Sequence, residues 1–129
     1  MRYLFSFFRP PTQFIDAWSV PHFLLGTLTA MLTVAAGYPI VPLFFVTLIV
    51  AILWEIFERK VGIRETKMNV VSDVFMPLLA YVVTVWLVAT PDISHEQHVA
   101  LLTVTIIFYS LTSYAAWQAR FSRDPDFLS

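Results

Sequence analysis

The sequence predicts an all-α membrane protein: a bundle of four transmembrane helices with an N-terminal interfacial segment and both termini in the cytoplasm. Three observations predict it. Of 129 residues, 58% are hydrophobic and 13% charged, about half the ~25% charged share of soluble domains, so the chain cannot dress an ordinary aqueous surface. Its apolar residues gather in four runs at about 19–37, 41–57, 70–89 and 98–119, each near the ~20 residues that cross a hydrocarbon core. The Lys and Arg residues, 8 in all, fall on one side once those four runs are threaded through a membrane. A soluble bundle would show a polar outer stripe on each helix, and these runs show none.

Residues 1–14 open the chain. Arg9-Pro10-Pro11 ends the short apolar run Tyr3-Leu4-Phe5, which is too brief for a secretory signal. This stretch reads as an interfacial segment, with Phe5, Phe7 and Phe8 at the headgroup boundary and Arg2 and Arg9 on phosphates. The first span starts near Ser19, where Pro21 fits a first helical turn. His22, Gly26, Thr29 and Thr33 follow 4-3-4 spacing along it, a stripe of small and polar residues suited to packing on other helices. Phe23, Leu24, Leu28, Met31 and Leu32 form the lipid side. Gly37-Tyr38-Pro39 turns the chain into the second run, which is apolar except for Thr47 and Glu55. The loop 58–69 is polar, and Asn69 is placed to cap the third helix. Thr90-Pro91-Asp92 stops that helix, and Ser94-His95-Glu96-Gln97 fits a capping box for the fourth. A charged tail occupies 120–129.

Arg2 and Arg9, then Arg59, Lys60, Arg64 and Lys67, then Arg120 and Arg123 share one side in this threading. The opposite loops, 37–41 and 90–97, hold no Lys or Arg. The positive-inside rule puts that basic side in the cytoplasm and the protein in the inner membrane as a multi-pass chain.

The threading also brings polar groups to one level. His22 enters near the start of the first span, Glu55 and Glu58 near the end of the second, Asn69 and Asp73 at the start of the third, with Asp16 beside them. The pairs Glu55/Glu58 and Asn69/Asp73 each share a helix face by spacing. Pro77 has no N–H to give the carbonyl four residues back, so the Asp73 carbonyl is freed; the expectation is that it faces the cluster. Each residue has a plain structural role open to it. Glu55 and Glu58 can pair with Arg59, Lys60 or Lys67, Asn69 can be only a cap, and His22 can be a core histidine. Taken together, ionisable groups at membrane depth are costly and mark function.

His22, Gly26, the W-E-x-x-E of Trp54, Glu55 and Glu58, and the N-x-x-x-D of Asn69 and Asp73 resemble the pattern of the VanZ-like group of small polytopic membrane proteins, over roughly residues 16–85. Where that group has a glycine-rich stretch after the Asp, this chain has Met76-Pro77-Leu78. The resemblance implies a multi-helix inner-membrane protein, linked in some members to glycopeptide resistance at the cell envelope, without a defined reaction.

Among the chemistries, His22, Glu55, Glu58 and Asp73 are the candidate ligands for a divalent cation. Arg59, Lys60, Arg64 and Lys67 suit an anionic lipid headgroup. HExxH, P-loop and GxSxG patterns are absent, so no catalytic residue is named. With Cys 0, thiolate chemistry and Fe–S ligation are excluded. His22 and His98 stand a membrane thickness apart, so this chain alone cannot clamp a haem between them. The outer half offers hydroxyls but no charged relay for an ion conductor. The net charge of -1 gives no steering of nucleic acid. Two readings lead. The first is a non-enzymatic accessory subunit of a larger membrane complex, fitting a short aromatic-rich chain with little mass outside the bilayer and partners among membrane subunits or further copies of itself. The second is a VanZ-like protein that binds or processes a polar-headed lipid or lipid-linked envelope precursor at the inner leaflet.

Overall fold

The computed structural model describes residues 18–63, 66–90 and 92–122. The interfacial segment 1–14, Asp16, Arg64 and residues 123–129 of the tail lie outside the described residues. The described residues form four α-helices: α1 Ser19–Ala36, α2 Ile40–Lys60, α3 Lys67–Val88 and α4 His95–Phe121. Each is long and apolar enough to cross a membrane.

The helix ends follow their local chemistry. At Gly37 the backbone turns left-handed with φ 69. The Tyr38 N–H reaches the Thr33 carbonyl at 2.9 Å and the Gly37 N–H reaches Val34 at 3.3 Å, which is the Schellman pattern that glycine permits. Gly62, with φ 87, repeats it. There Ile63 donates to Glu58 at 3.0 Å and Gly62 to Arg59 at 3.3 Å. This second closure carries α2 to Lys60, one turn past the boundary at 57 expected from hydropathy, because Glu58, Arg59 and Lys60 are good helix formers despite their charge. The Ser94/Gln97 capping box forms as expected. The cap of α3 does not. Thr66 is the N-cap, accepting from the Asn69 N–H at 3.2 Å, and Asn69 sits inside the first turn with its side chain directed elsewhere.

The packing is inside-out. On α2 the buried residues are Thr47, Ala51, Glu55 and Glu58, one stripe at 4-4-3 spacing, while Val41, Phe45, Ile49, Leu53 and Ile56 are exposed. On α3 the buried stripe is Asn69, Asp73, Pro77, Ala80 and Tyr81. Small and polar residues inside with large apolar residues outside is the arrangement that lipid, rather than water, favours. Helix α1 is central and packs on all three others. Its stripe of His22, Gly26 and Thr33 is buried as expected, but Met31, expected on the lipid side, is buried too. The tightest approach joins α1 to α3: a Cβ added at Gly26 would overlap the Pro77 carbonyl, so the two backbones touch there.

Candidate functional site

The short connections make successive helices alternate in direction, so the start of α1, the end of α2, the start of α3 and the end of α4 lie together. Three of these ends supply the core of the site. One donor atom each from His22, Glu55 and Asp73 lies within 4.8 Å of the other two, and all three residues are buried.

The geometry around them is set by α3. Asp73 has no exposed surface. Its Oδ2 accepts from Asn69 Nδ2 at 2.7 Å, one helical turn back, and its Oδ1 accepts from Ser19 Oγ at 3.3 Å. Its backbone carbonyl, which Pro77 cannot engage, accepts from His22 Nδ1 at 2.9 Å. A carbonyl only accepts, so Nδ1 carries the proton, and in the neutral ring Nε2 carries the lone pair. The proline, through its missing N–H, therefore fixes the tautomer of a histidine on another helix. Gly26 and Pro77 each lie one turn beyond His22 and Asp73, and their backbone contact sets the α1–α3 spacing at which this bond closes.

Glu58 turns to a different partner. Its Oε1 pairs with Arg120 Nη1 at 3.2 Å, the arginine side chain being 14% exposed and the glutamate 2%. Arg120 is not among the partners, Arg59, Lys60 and Lys67, that the sequence offers Glu55 and Glu58 in a purely structural role. α2 continues past its apolar run and α4 runs to Phe121, which brings residues 58 and 120 to the same depth. Glu58 thus ties α2 to α4, and the group converging on one point is His22, Glu55 and Asp73. Arg120 also stacks over Trp18, its Cζ 4.5 Å from the ring centroid. Trp18 meets Trp117 edge-on at 5.1 Å, and Trp117 meets Trp54 at 6.5 Å. Tryptophans from three helices thus ring the cluster at one end, as interfacial aromatics do.

These rings line a small cleft of about 80 Å³ that opens to the surface. Trp18, the N-cap of α1, lines it with Pro21, His22 and Leu25 from α1, Trp54 from α2, and Tyr109, Ser113 and Trp117 from α4. Of the three convergent residues, His22 is the one that lines this cleft. Arg59, Lys60 and Lys67 are exposed at the same end.

At the other end the polar groups are hydroxyls. Thr47 donates to Thr29 at 2.9 Å, Tyr81 donates to the Ile40 carbonyl at 2.8 Å, and Thr33 lies 3.2 Å from the Tyr81 hydroxyl. His98 is there as well, with Nε2 2.8 Å from the Val88 carbonyl, closing the α3–α4 turn.

Five of the residues singled out in the sequence, His22, Glu55, Glu58, Asn69 and Asp73, are therefore buried at one end of one bundle. Ser19, Trp18, Trp117 and Arg120 were not singled out. The signal for Arg120 was available in the helix register alone, since a fourth helix extended to 121 must end beside Glu58.

The chain matches no protein-family model, no curated protein and no solved structure.

Proposed function

We propose that this chain is a multi-pass protein of the cytoplasmic membrane that binds the anionic head of a membrane lipid, or of a lipid-linked envelope precursor, on its basic side. The basic side faces the cytoplasm, from the one-sided distribution of arginine and lysine. The observation that carries the reading is the cleft. It is lined by His22 together with Trp18, Trp54 and Trp117, and the exposed Arg59, Lys60 and Lys67 stand at the same end, which the proposed topology puts at headgroup level. An aromatic-walled opening suits the upper acyl chain and glycerol region, while the basic side chains suit phosphate. This is the reading that the VanZ-like pattern of His22, Trp54, Glu55, Glu58, Asn69 and Asp73 also favours. A wholly structural subunit would need no opening onto its polar core, so the cleft favours a lipid ligand over an accessory role.

Native mass spectrometry of the protein released from mild detergent tests it. The expected result is an anionic phospholipid retained on the wild-type chain. Ser113→Trp, which places an indole in the cleft, should weaken that retention by about tenfold, a loss of ~1.4 kcal/mol. Unchanged lipid binding in Ser113→Trp overturns the assignment of the cleft. A stoichiometric protein partner with no bound lipid overturns the reading in favour of the accessory subunit.

A further inference from the structure

We propose that His22, Glu55 and Asp73 form a binding site for one divalent first-row transition-metal ion, of the manganese or zinc class. The proposal stands on these side chains and is independent of the lipid reading.

Convergence is the first support. The three residues come from three helices and are separated by 33 and 18 positions in the chain, yet one donor atom from each lies within 4.8 Å of the others. Donors sharing an ion at about 2.1 Å lie roughly 3–4 Å apart, so rotations amounting to about an ångström complete the set. Burial is the second. An acidic cluster at a surface is commonplace, but here all three groups are buried in a bundle whose outside is apolar.

The third support is the way the candidate ligands are held. In metal centres the ligating histidine gives its other ring N–H to a carbonyl or carboxylate, and ligating carboxylates are held by hydrogen bonds of their own. Both features are present. His22 donates through Nδ1 to the Asp73 carbonyl at 2.9 Å, which presents Nε2 as the ligand atom. Asp73 is held through both oxygens, by Asn69 at 2.7 Å and Ser19 at 3.3 Å. The carbonyl that orients the histidine is available because residue 77 is proline.

Donor chemistry selects the class of ion. One imidazole and two carboxylates suit manganese, iron or zinc better than calcium, which takes six to eight oxygens, or magnesium, which retains its waters. Two carboxylates around a neutral imidazole carry a charge of −2, which a divalent ion neutralises. Three protein ligands leave coordination positions open, and His22 lines the cleft through which a water or a phosphate oxygen would reach them.

The test uses the full chain in lipid-free dodecyl maltoside micelles after chelator treatment, so that it reads the metal alone. Mn²⁺ is titrated and followed by electron paramagnetic resonance, with Zn²⁺ as competitor. The expected result is one equivalent of Mn²⁺ bound, with electron spin-echo modulation from a single imidazole nitrogen. His22→Gln should abolish the modulation, while His98→Gln, altered at the opposite end of the bundle, should keep it. Glu55→Gln and Asp73→Asn should each weaken binding by about a hundredfold. Pro77→Ala restores a competing donor to the Asp73 carbonyl and should weaken it by about tenfold while the chain stays folded, which marks Pro77 as a positioning residue. Should the carboxylate variants not fold, the wild-type protein decides alone: less than about a tenth of an equivalent bound, or binding without nitrogen modulation, overturns the site and leaves a hydrogen-bonded histidine–carboxylate triad.

Discussion

Replacing Gly26 with alanine probes the contact on which the site's geometry depends. Three terms set the outcome. Alanine favours the helix by about 1 kcal/mol over glycine. Against this, the added methyl overlaps the Pro77 carbonyl, a backbone group that no side-chain rotation can move aside. Overpacking of this kind costs about 1–3 kcal/mol. To relieve it the helices must separate by roughly 1.5 Å, since non-bonded atoms settle near 3.5 Å. The His22 Nδ1 to Asp73 bond, at 2.9 Å one turn away, then stretches beyond hydrogen-bond reach. Losing it leaves a buried carbonyl unsatisfied, for about 1–3 kcal/mol more. The net expectation is a destabilisation of about 3 kcal/mol. Equilibrium unfolding in mixed dodecyl maltoside–SDS micelles measures it, with tryptophan fluorescence as the probe, because Trp18, Trp54 and Trp117 surround the site. Gly37→Ala is the comparison. Gly37 has φ 69 and no atom within 4 Å of an added Cβ, so the cost there is only the left-handed backbone, about 1 kcal/mol. A Gly26→Ala protein as stable as the wild type, or less affected than Gly37→Ala, refutes the close α1–α3 approach and with it the orientation of His22.

Two further outcomes are expected. Arg120→Met removes the partner at 3.2 Å from a glutamate only 2% exposed, and should cost about 2–3 kcal/mol in the same unfolding assay, discounted for the partial exposure of the arginine; Arg120→Met with Glu58→Gln should recover most of the loss. Single cysteines at Tyr38 and Ser94 should react with an impermeant maleimide on intact cells, and ones at Gly62 and Ser122 only after lysis; labelling at Gly62 from outside reverses the topology.

Most of the architecture was legible because a bilayer leaves few choices. Four apolar runs separated by Gly-Tyr-Pro, a polar loop and a capping box can hardly be anything but four helices, and the boundaries moved by no more than a few residues. The displaced ends have physical causes. Charged residues such as Glu58 to Lys60 are excellent helix formers, so hydropathy stops before the helix does. Thr66 and Asn69 are both good caps, and only the three-dimensional demand of Asp73 for a donor decides that Asn69 is drawn inward. The convergence of His22, Glu55 and Asp73 was visible as shared depth, and the freed Asp73 carbonyl was visible from Pro77. What depth cannot reveal is rotation. Whether Glu58 faces the cluster or α4, whether Met31 faces lipid, and that the freed carbonyl meets His22 all depend on how each helix turns about its axis. That rotation is set by contacts such as Gly26 on Pro77, between residues 51 positions apart.

The polar groups of the far half, hydroxyls and the His98 imidazole among the described residues, bear on how the chain would respond to a membrane potential. Asp73 stands six residues into α3, about 9 Å of helical rise from its start, so on the proposed topology the cluster falls in the cytoplasmic third of a ~30 Å core. Moving one elementary charge across the whole core does about 2.3 kcal/mol of work per 100 mV. A charge that travels only from the basic surface to this depth falls through at most a third of the field, about 0.8 kcal/mol per 100 mV. Among the described residues, Thr29, Thr33, Thr47 and Tyr81 then offer dipoles but no titratable carboxylate or amine for the remaining distance. On the proposed topology the bundle is thus a blind alley to charge. The proposed site would equilibrate with a single compartment, its occupancy set by concentration on that side and only weakly by voltage.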